Sequence, residues 1–302
     1  MAGEISISGQ FATDWIKYSD YEIKKDSAGD VYIVPAKDAI FSMYNPFNVA
    51  EGLLLDLIRL GDEAVKRDKM QIDAALLDEL LIFTRKYGLL GLVSCSVYNR
   101  NIIGDGVVLL MDNNHITREK MMDEESYLNK FMPFTEPGDV EIRGDNNCYD
   151  VRKREDSPKY YGRRPLILDL VFSRFYAEKV NWILGFARLI STHFNQLMVY
   201  KDRAAHLTED VTIMAGRFHA EKIGFTIQQL DKTHIAWQFD SLKTAIELIY
   251  AFAVSDDSML LARCKYCRNI FISGNTRTKY CGPTCRNRAN VEKSRARKDS
   301  SG

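Results

Sequence analysis

The chain has 302 residues, 46% hydrophobic and 27% charged, which is the balance of a globular protein with a core of useful size. No stretch approaches the roughly 18 uninterrupted apolar residues of a membrane helix, and the start lacks the basic and then apolar character of a secretory signal, so a cytoplasmic location with reduced thiols is expected. The formal net charge is zero but unevenly spread: between Arg263 and Lys298 stand eleven Lys or Arg against one acid, Glu292, leaving the rest of the chain acidic by ten charges.

In chain order, residues 21–25 and 30–34 alternate in apolar character around Asp26-Ser-Ala-Gly, which predicts a β-hairpin. Leu53, Leu54, Leu57, Ile58 and Leu60 keep helical spacing, predicting a helix over 48–60. A second helix is expected over 73–87, with Leu76, Leu77, Leu80 and Phe83 on one face and a stop at Gly88; the run 87–92 then reads as a buried turn. Residues 99–165 are dense in turn formers and read as loops around short elements, with Arg152, Lys153, Arg154, Lys159, Arg163 and Arg164 as solvated loop cations. From 168 to about 200 the pattern is helical again, and the stripe Ile183, Phe186, Ala187, Ile190, Phe194 and Leu197 is expected to be core. Short strands are expected at 225–228 and 234–239. Asp240 or Ser241 can then cap a last body helix whose inner face is Leu242, Ala245, Ile246, Ile249 and Tyr250. The expected architecture is a mainly helical body with small β elements, residues 1–262, joined without a long linker to a C-terminal module, residues 263–302.

That module holds Cys264-Lys-Tyr-Cys267, thirteen further residues, then Cys281-Gly-Pro-Thr-Cys285. A turn with two thiols at the first spacing points both sulfurs at one centre, and four thiolates complete a tetrahedron around Zn²⁺. Residues 271–280 fit a hairpin turning at 273–276, and Pro283 suits a helix start, which places the second cysteine pair at the first turn of a terminal helix, as in a treble clef. About forty charge-rich residues bury too little apolar surface to fix their own backbone, and a structural zinc ion can supply on the order of 10 kcal/mol. An iron–sulfur cluster also accepts four thiolates, but the basic flanks favour one structural Zn²⁺. Cys95 and Cys148 are distant in sequence from the cluster and read as ordinary thiols.

The run Cys264-x2-Cys267-x3-Phe271 … Tyr280-Cys281-x3-Cys285-Arg286-Asn287-Arg288-Ala289 resembles the CGNR zinc finger of bacterial proteins, which follows a mostly helical domain in stress-induced transcription regulators. Cys285, Asn287, Arg288 and Ala289 match its signature; Arg286 stands where the family has glycine, and Tyr280 where it commonly has tryptophan. The resemblance covers roughly 40 residues and implies DNA-binding transcription control.

The terminal helix would carry Arg286, Lys293 and Arg297 on one stripe and Arg288 and Arg295 on a neighbouring one, with Lys298 near its end and Glu292 paired within the helix to Arg288 and Arg295. Together with Arg277 and Lys279 on the hairpin, and Asn287 for a base edge or the backbone, these residues form the expected nucleic-acid surface. DNA is the expected partner, and the body is left to sense a small molecule or protein, or to form a homodimer. The alternative is a protein- or RNA-interaction adaptor with a purely structural zinc site. The five histidines, at 115, 193, 206, 219 and 234, form no metal-binding pair, and the chain has no phosphate-binding Gly-rich loop and no nucleophile elbow, so no enzyme activity is expected. Asp123, Glu124, Glu125 and Asp145 read as surface acids.

Overall fold

The computed structural model describes residues 9–11, 14–67, 72–92, 96–97, 107–110, 121–135, 141–145, 148–152, 171, 173–204, 223–229, 233–239, 241–255, 260–274 and 277–299. Among them are six α-helices and fifteen short strands, β1 to β15 in chain order, the strands gathered in sheets of two or three. The helical body with small β elements is therefore observed, with more β structure than the sequence periodicities suggest.

The expected N-terminal hairpin is β3 (Tyr21–Lys25) against β4 (Val31–Pro35), which a third strand, β11 (Glu178–Lys179), joins on the far side. Helix α1 (Ala50–Lys66) follows a 3-10 turn whose first amides are met by Asn45, Phe47 N donating to Asn45 Oδ1 at 3.0 Å. It continues to Lys66 instead of ending at Leu60, because Gly61 and Ala64 extend its buried face. Helix α2 (Ala74–Tyr87) is capped by Asp73, whose Oδ1 accepts from Leu76 N at 2.8 Å, and it stops at Gly88 with φ +85°, as expected. A Cβ at Gly88 would also lie 2.3 Å from Ile16 O, so glycine is required there twice over.

The run after α2 is the anticipated buried turn, and its amides are satisfied by a residue that periodicity does not reveal. Leu90 N and Leu92 N donate to the wholly buried carboxylate of Glu178 at 2.9 and 3.0 Å, and Tyr176 Oη donates to it at 2.8 Å. Burial pushes the Glu178 pKa up, and the amide bonds only partly offset this. That use of Glu178 also explains why the long helix begins late. Residues 173–179 form a turn and β11, and helix α4 starts at Val180 (Val180–Ala204); the shorter α3 spans Glu124–Phe131. The pair β12 (Ile223–Gln229) and β13 (Thr233–Phe239) is antiparallel, and α5 (Leu242–Ser255) is capped by Ser241, whose Oγ accepts from Thr244 N at 3.1 Å. Within the loop-rich region, strands occur at Val107–Leu110 and Met121–Asp123, and a hairpin at Glu141–Asp145 with Cys148–Arg152. Cys95 and the cations at 153, 154, 159, 163 and 164 lie outside the described residues.

The centre of the core is the crossing of α1 and α4. Leu53, Leu57 and Ile58 of α1, and Ile183, Ala187, Ile190 and Phe194 of α4, are at most 1% exposed. The backbones approach so closely that a Cβ at Gly61 would sit 2.1 Å from Ala187 O and 2.7 Å from Ser191 Cβ. Gly185, on the outer side of α4, has nothing within 4 Å of its position.

Those two glycines give opposite predictions for the same substitution. Gly185→Ala should raise stability by roughly 0.5–1 kcal/mol, the usual helix-interior gain. Gly61→Ala should lower it by about 1–3 kcal/mol, because the obstacle is backbone that cannot rotate away. Urea unfolding midpoints decide both; a stabilised Gly61→Ala variant would show that the helices do not meet at that distance.

Candidate metal centre and the basic helix

Strand β14 (Leu260–Arg263) pairs antiparallel with β15 (Ile270–Ser273), Leu260 opposite Ser273 and Arg263 opposite Ile270. The connecting loop is a tight knuckle, in which Cys264 N donates to Asn269 O at 2.9 Å and Arg268 N donates to Cys264 O at 3.0 Å. It is tight enough that Arg268 adopts φ +63°, a left-handed conformation costing about 1–2 kcal/mol for a residue with a Cβ. Downstream, Lys265 N donates to Lys279 O at 2.9 Å, drawing the segment before Cys281 alongside the knuckle. Helix α6 (Pro283–Asp299) opens on the proline as expected, with Cys281 just ahead of it and Cys285 in its first turn.

The expected hairpin over 271–280 does not form. Strand β15 pairs backwards with β14, and the described residues 277–280 are in turn or irregular conformation. Burial explains the choice: Leu261 belongs to the body core, and Ile270 and Ile272 pack against it, so pairing these strands covers all three.

The four thiols converge. Their sulfurs all lie within 4.8 Å of one another, with Cys267 Sγ to Cys281 Sγ at 3.7 Å and Cys281 Sγ to Cys285 Sγ at 3.6 Å. A regular tetrahedron with metal–sulfur bonds of about 2.3 Å has edges of about 3.8 Å, whereas a disulfide needs about 2.05 Å. The group therefore has the spacing of a metal cage, and the four cysteines are free thiols. Burial pushes the Cys264 thiol up, but backbone amides of Cys281, Cys267 and Tyr266 aimed at its sulfur outweigh this and bring it to about 6. Burial and the neighbouring thiols push Cys281 the other way, to about 12. Four thiolates in one cage repel, so without a cation the protons are retained unevenly.

The cage sits on the body through a residue whose charge suggested only membership of the basic tail. Arg263, immediately before Cys264, donates from Nη2 to Asp62 Oδ1 at 2.7 Å and from Nε to Asn195 Oδ1 at 2.6 Å, with its guanidinium 5.5 Å from the Phe194 ring centroid. Ser191 Oγ donates to the same Asp62 oxygen, and Arg263 Nη1 donates to Arg268 O at 3.1 Å within the knuckle. Arg263 and Asp62 are only 20% and 18% exposed. Strand β14 also straddles the expected junction at 262, and its Leu261 joins the body core.

Beyond the cage, α6 buries little. Among its described side chains Ala289 is the buried one, at 8% exposure, and Glu292 accepts a hydrogen bond from Tyr266 Oη at 3.0 Å, tying the helix to the knuckle. That bond replaces the expected pairing of Glu292 with Arg288 and Arg295. Arg277, Lys279, Arg286, Asn287, Arg288, Lys293 and Arg295 are all exposed; the side chains of Arg297 and Lys298 lie outside the described residues. Comparison with protein-family models, with curated proteins and with solved structures finds no match for this chain. None of the described helices is long and apolar enough to cross a membrane.

Metal uptake at pH 7 should release protons, because Cys281 is protonated there and must ionise to ligate. Affinity should therefore weaken as pH falls; calorimetry in buffers of different ionisation enthalpy measures the released protons directly, and a pH-independent affinity would contradict thiolate ligation. For the seat, Asp62→Ala should cost about 1–3 kcal/mol, since it leaves the Arg263 guanidinium half-buried without its carboxylate. Thermal unfolding of the metal-loaded protein tests this against Asp78→Ala on α2, which should be near neutral.

Proposed function

We propose that this chain is a zinc-dependent DNA-binding protein, a transcription regulator of the cytoplasm, gripping DNA through its C-terminal finger and basic helix. The observation that carries this reading is the pairing of a metal-spaced cage of four thiols with a helix that exposes nearly all of its described side chains, Arg286, Arg288, Lys293 and Arg295 among them. Four soft sulfur ligands at tetrahedral spacing suit Zn²⁺, in an arrangement we read as treble-clef-like. Zinc would hold the knuckle to the start of α6 and favour the thiolate form of all four cysteines. The helix beyond is polar on nearly every face, and such a helix is understandable when its partner is a polyanion. The CGNR-like run Cys285-Arg-Asn-Arg-Ala289 points the same way.

In this reading Arg286, Arg288, Lys293 and Arg295, with Lys279 and Arg277 from the approach to Cys281, contact phosphates, and no residue performs catalysis. The body supplies regulation, by a small-molecule or protein signal or by association of two copies.

The test is fluorescence anisotropy with labelled duplex DNA and the full zinc-loaded chain. Five or six phosphate contacts give a log–log salt slope of about −5. A chelator, or Cys281→Ser, should abolish binding. Arg288→Ala combined with Arg295→Ala should weaken binding to every duplex alike and flatten the slope by about 2. Binding that persists without metal, or no duplex binding even at low salt, would defeat the proposal; binding to single-stranded RNA alone would favour the adaptor reading.

A further inference from the structure

We propose that Asn287, Val291 and Ser294 form a base-reading ridge on α6 that enters the major groove of B-form DNA. Asn287 is placed for adenine and Val291 for the thymine methyl group. This inference rests on the DNA-binding reading and specifies how that surface is divided.

The orientation of α6 follows from what its inner side touches. Ala289 is buried, and Glu292 is held by Tyr266, so the direction between these two positions faces the knuckle. Each residue of a helix advances about 100° around the axis. Counted from Ala289, Arg286 and Lys293 fall together about 50° to one side, and Arg288 and Arg295 fall together about 110° to the other. Asn287, Val291 and Ser294 lie between these two cationic rails, within about 50° of the direction pointing straight away from the knuckle. From 287 to 294 the surface is thus an uncharged ridge flanked by positive charge on both sides, and Lys298 follows on the same line near the end of the helix.

Val291 is the feature that a purely electrostatic grip leaves unexplained. It is 50% exposed on a helix whose described side chains from 290 to 296 are all exposed, so it packs into no core. A β-branched residue there also lowers helix propensity relative to lysine, glutamate or alanine. An apolar side chain at the crest of a cation-lined helix has a chemical counterpart in the thymine methyl group on the floor of the major groove. Asn287, one turn earlier on the same ridge, has the amide that pairs bidentately with adenine N6 and N7, and Ser294 can meet any base edge.

Dimensions agree. The 17-residue helix is about 25 Å long and with side chains about 10–12 Å across, against a groove of about 12 Å, so the ridge can approach the base edges while the rails face the two phosphate strands. The deep, narrow major groove of A-form RNA does not admit this helix.

The experiment is selection from a random duplex library with the full zinc-loaded chain, followed by competition anisotropy with wild type, Asn287→Ala and Val291→Ala. Zinc content and circular dichroism establish that each variant is folded. The expected result is a selected site containing A·T pairs. Each variant should then lose between about 5- and 100-fold of discrimination at one such pair, with the salt slope unchanged because no phosphate contact is removed. Arg288→Ala combined with Arg295→Ala should instead weaken all sequences equally. Duplex binding without sequence preference, or a preference both single variants retain, would overturn the ridge while leaving DNA binding intact. Failure of the wild type to bind any duplex would overturn both.

Discussion

The packing of α1 against α4 at Gly61 is the contact on which the remainder of the molecule depends. Because no side chain separates the two backbones there, Asp62 on one helix and Ser191 and Asn195 on the other converge in a single polar cluster. That cluster holds Arg263, and the next residue is Cys264, the buried member of the thiol cage. A helix crossing deep in the body thereby sets the position of the first ligand, and through the cage the direction in which the basic helix departs. One missing Cβ is transmitted to a surface far along the chain.

Much of this could be anticipated from residue order because local rules decide it. Ser241 as a helix cap, Gly88 as a helix stop and Pro283 as a helix start act within a turn of themselves, and each is where its chemistry places it. The inward stripe of α4 was equally readable, since Ile183, Ala187, Ile190 and Phe194 repeat with the helical period. What local pattern could not supply was long-range pairing. Glu178 lies between Ala177 and Lys179 with nothing to mark it as the acceptor for amides some 86 to 88 positions earlier, and its role moved the start of α4 from the expected 168 to Val180.

The same division runs through the metal site. Thiol spacing is a local signal, so Cys264, Cys267, Cys281 and Cys285 could be grouped before any fold was known, and the structure brings their sulfurs together. Strand pairing around them is not local. Residues 271–280 satisfy the criteria for a hairpin, yet β15 turns to β14 because that choice covers Leu261, Ile270 and Ile272 on the body. Charge counting misassigned Arg263 for a related reason: a cation's partner, here 201 positions away, does not appear in its own neighbourhood.

The module's two halves are rooted differently. Upstream of the knuckle, β14 is stitched to the body by Leu261 and Arg263; downstream, the segment leading into α6 is joined to that half by the converging thiols, the Tyr266–Glu292 bond and the Lys265–Lys279 bond. An excised peptide beginning at residue 263 would keep the four cage sulfurs and all eleven of the module's positive charges but lose the platform beneath them. Such a peptide would have to organise its first ligand pair from a disordered start, whereas the intact chain presents that pair already in place. Metal affinity and nucleic-acid grip measured on the fragment would then understate the whole protein by the free energy of that ordering.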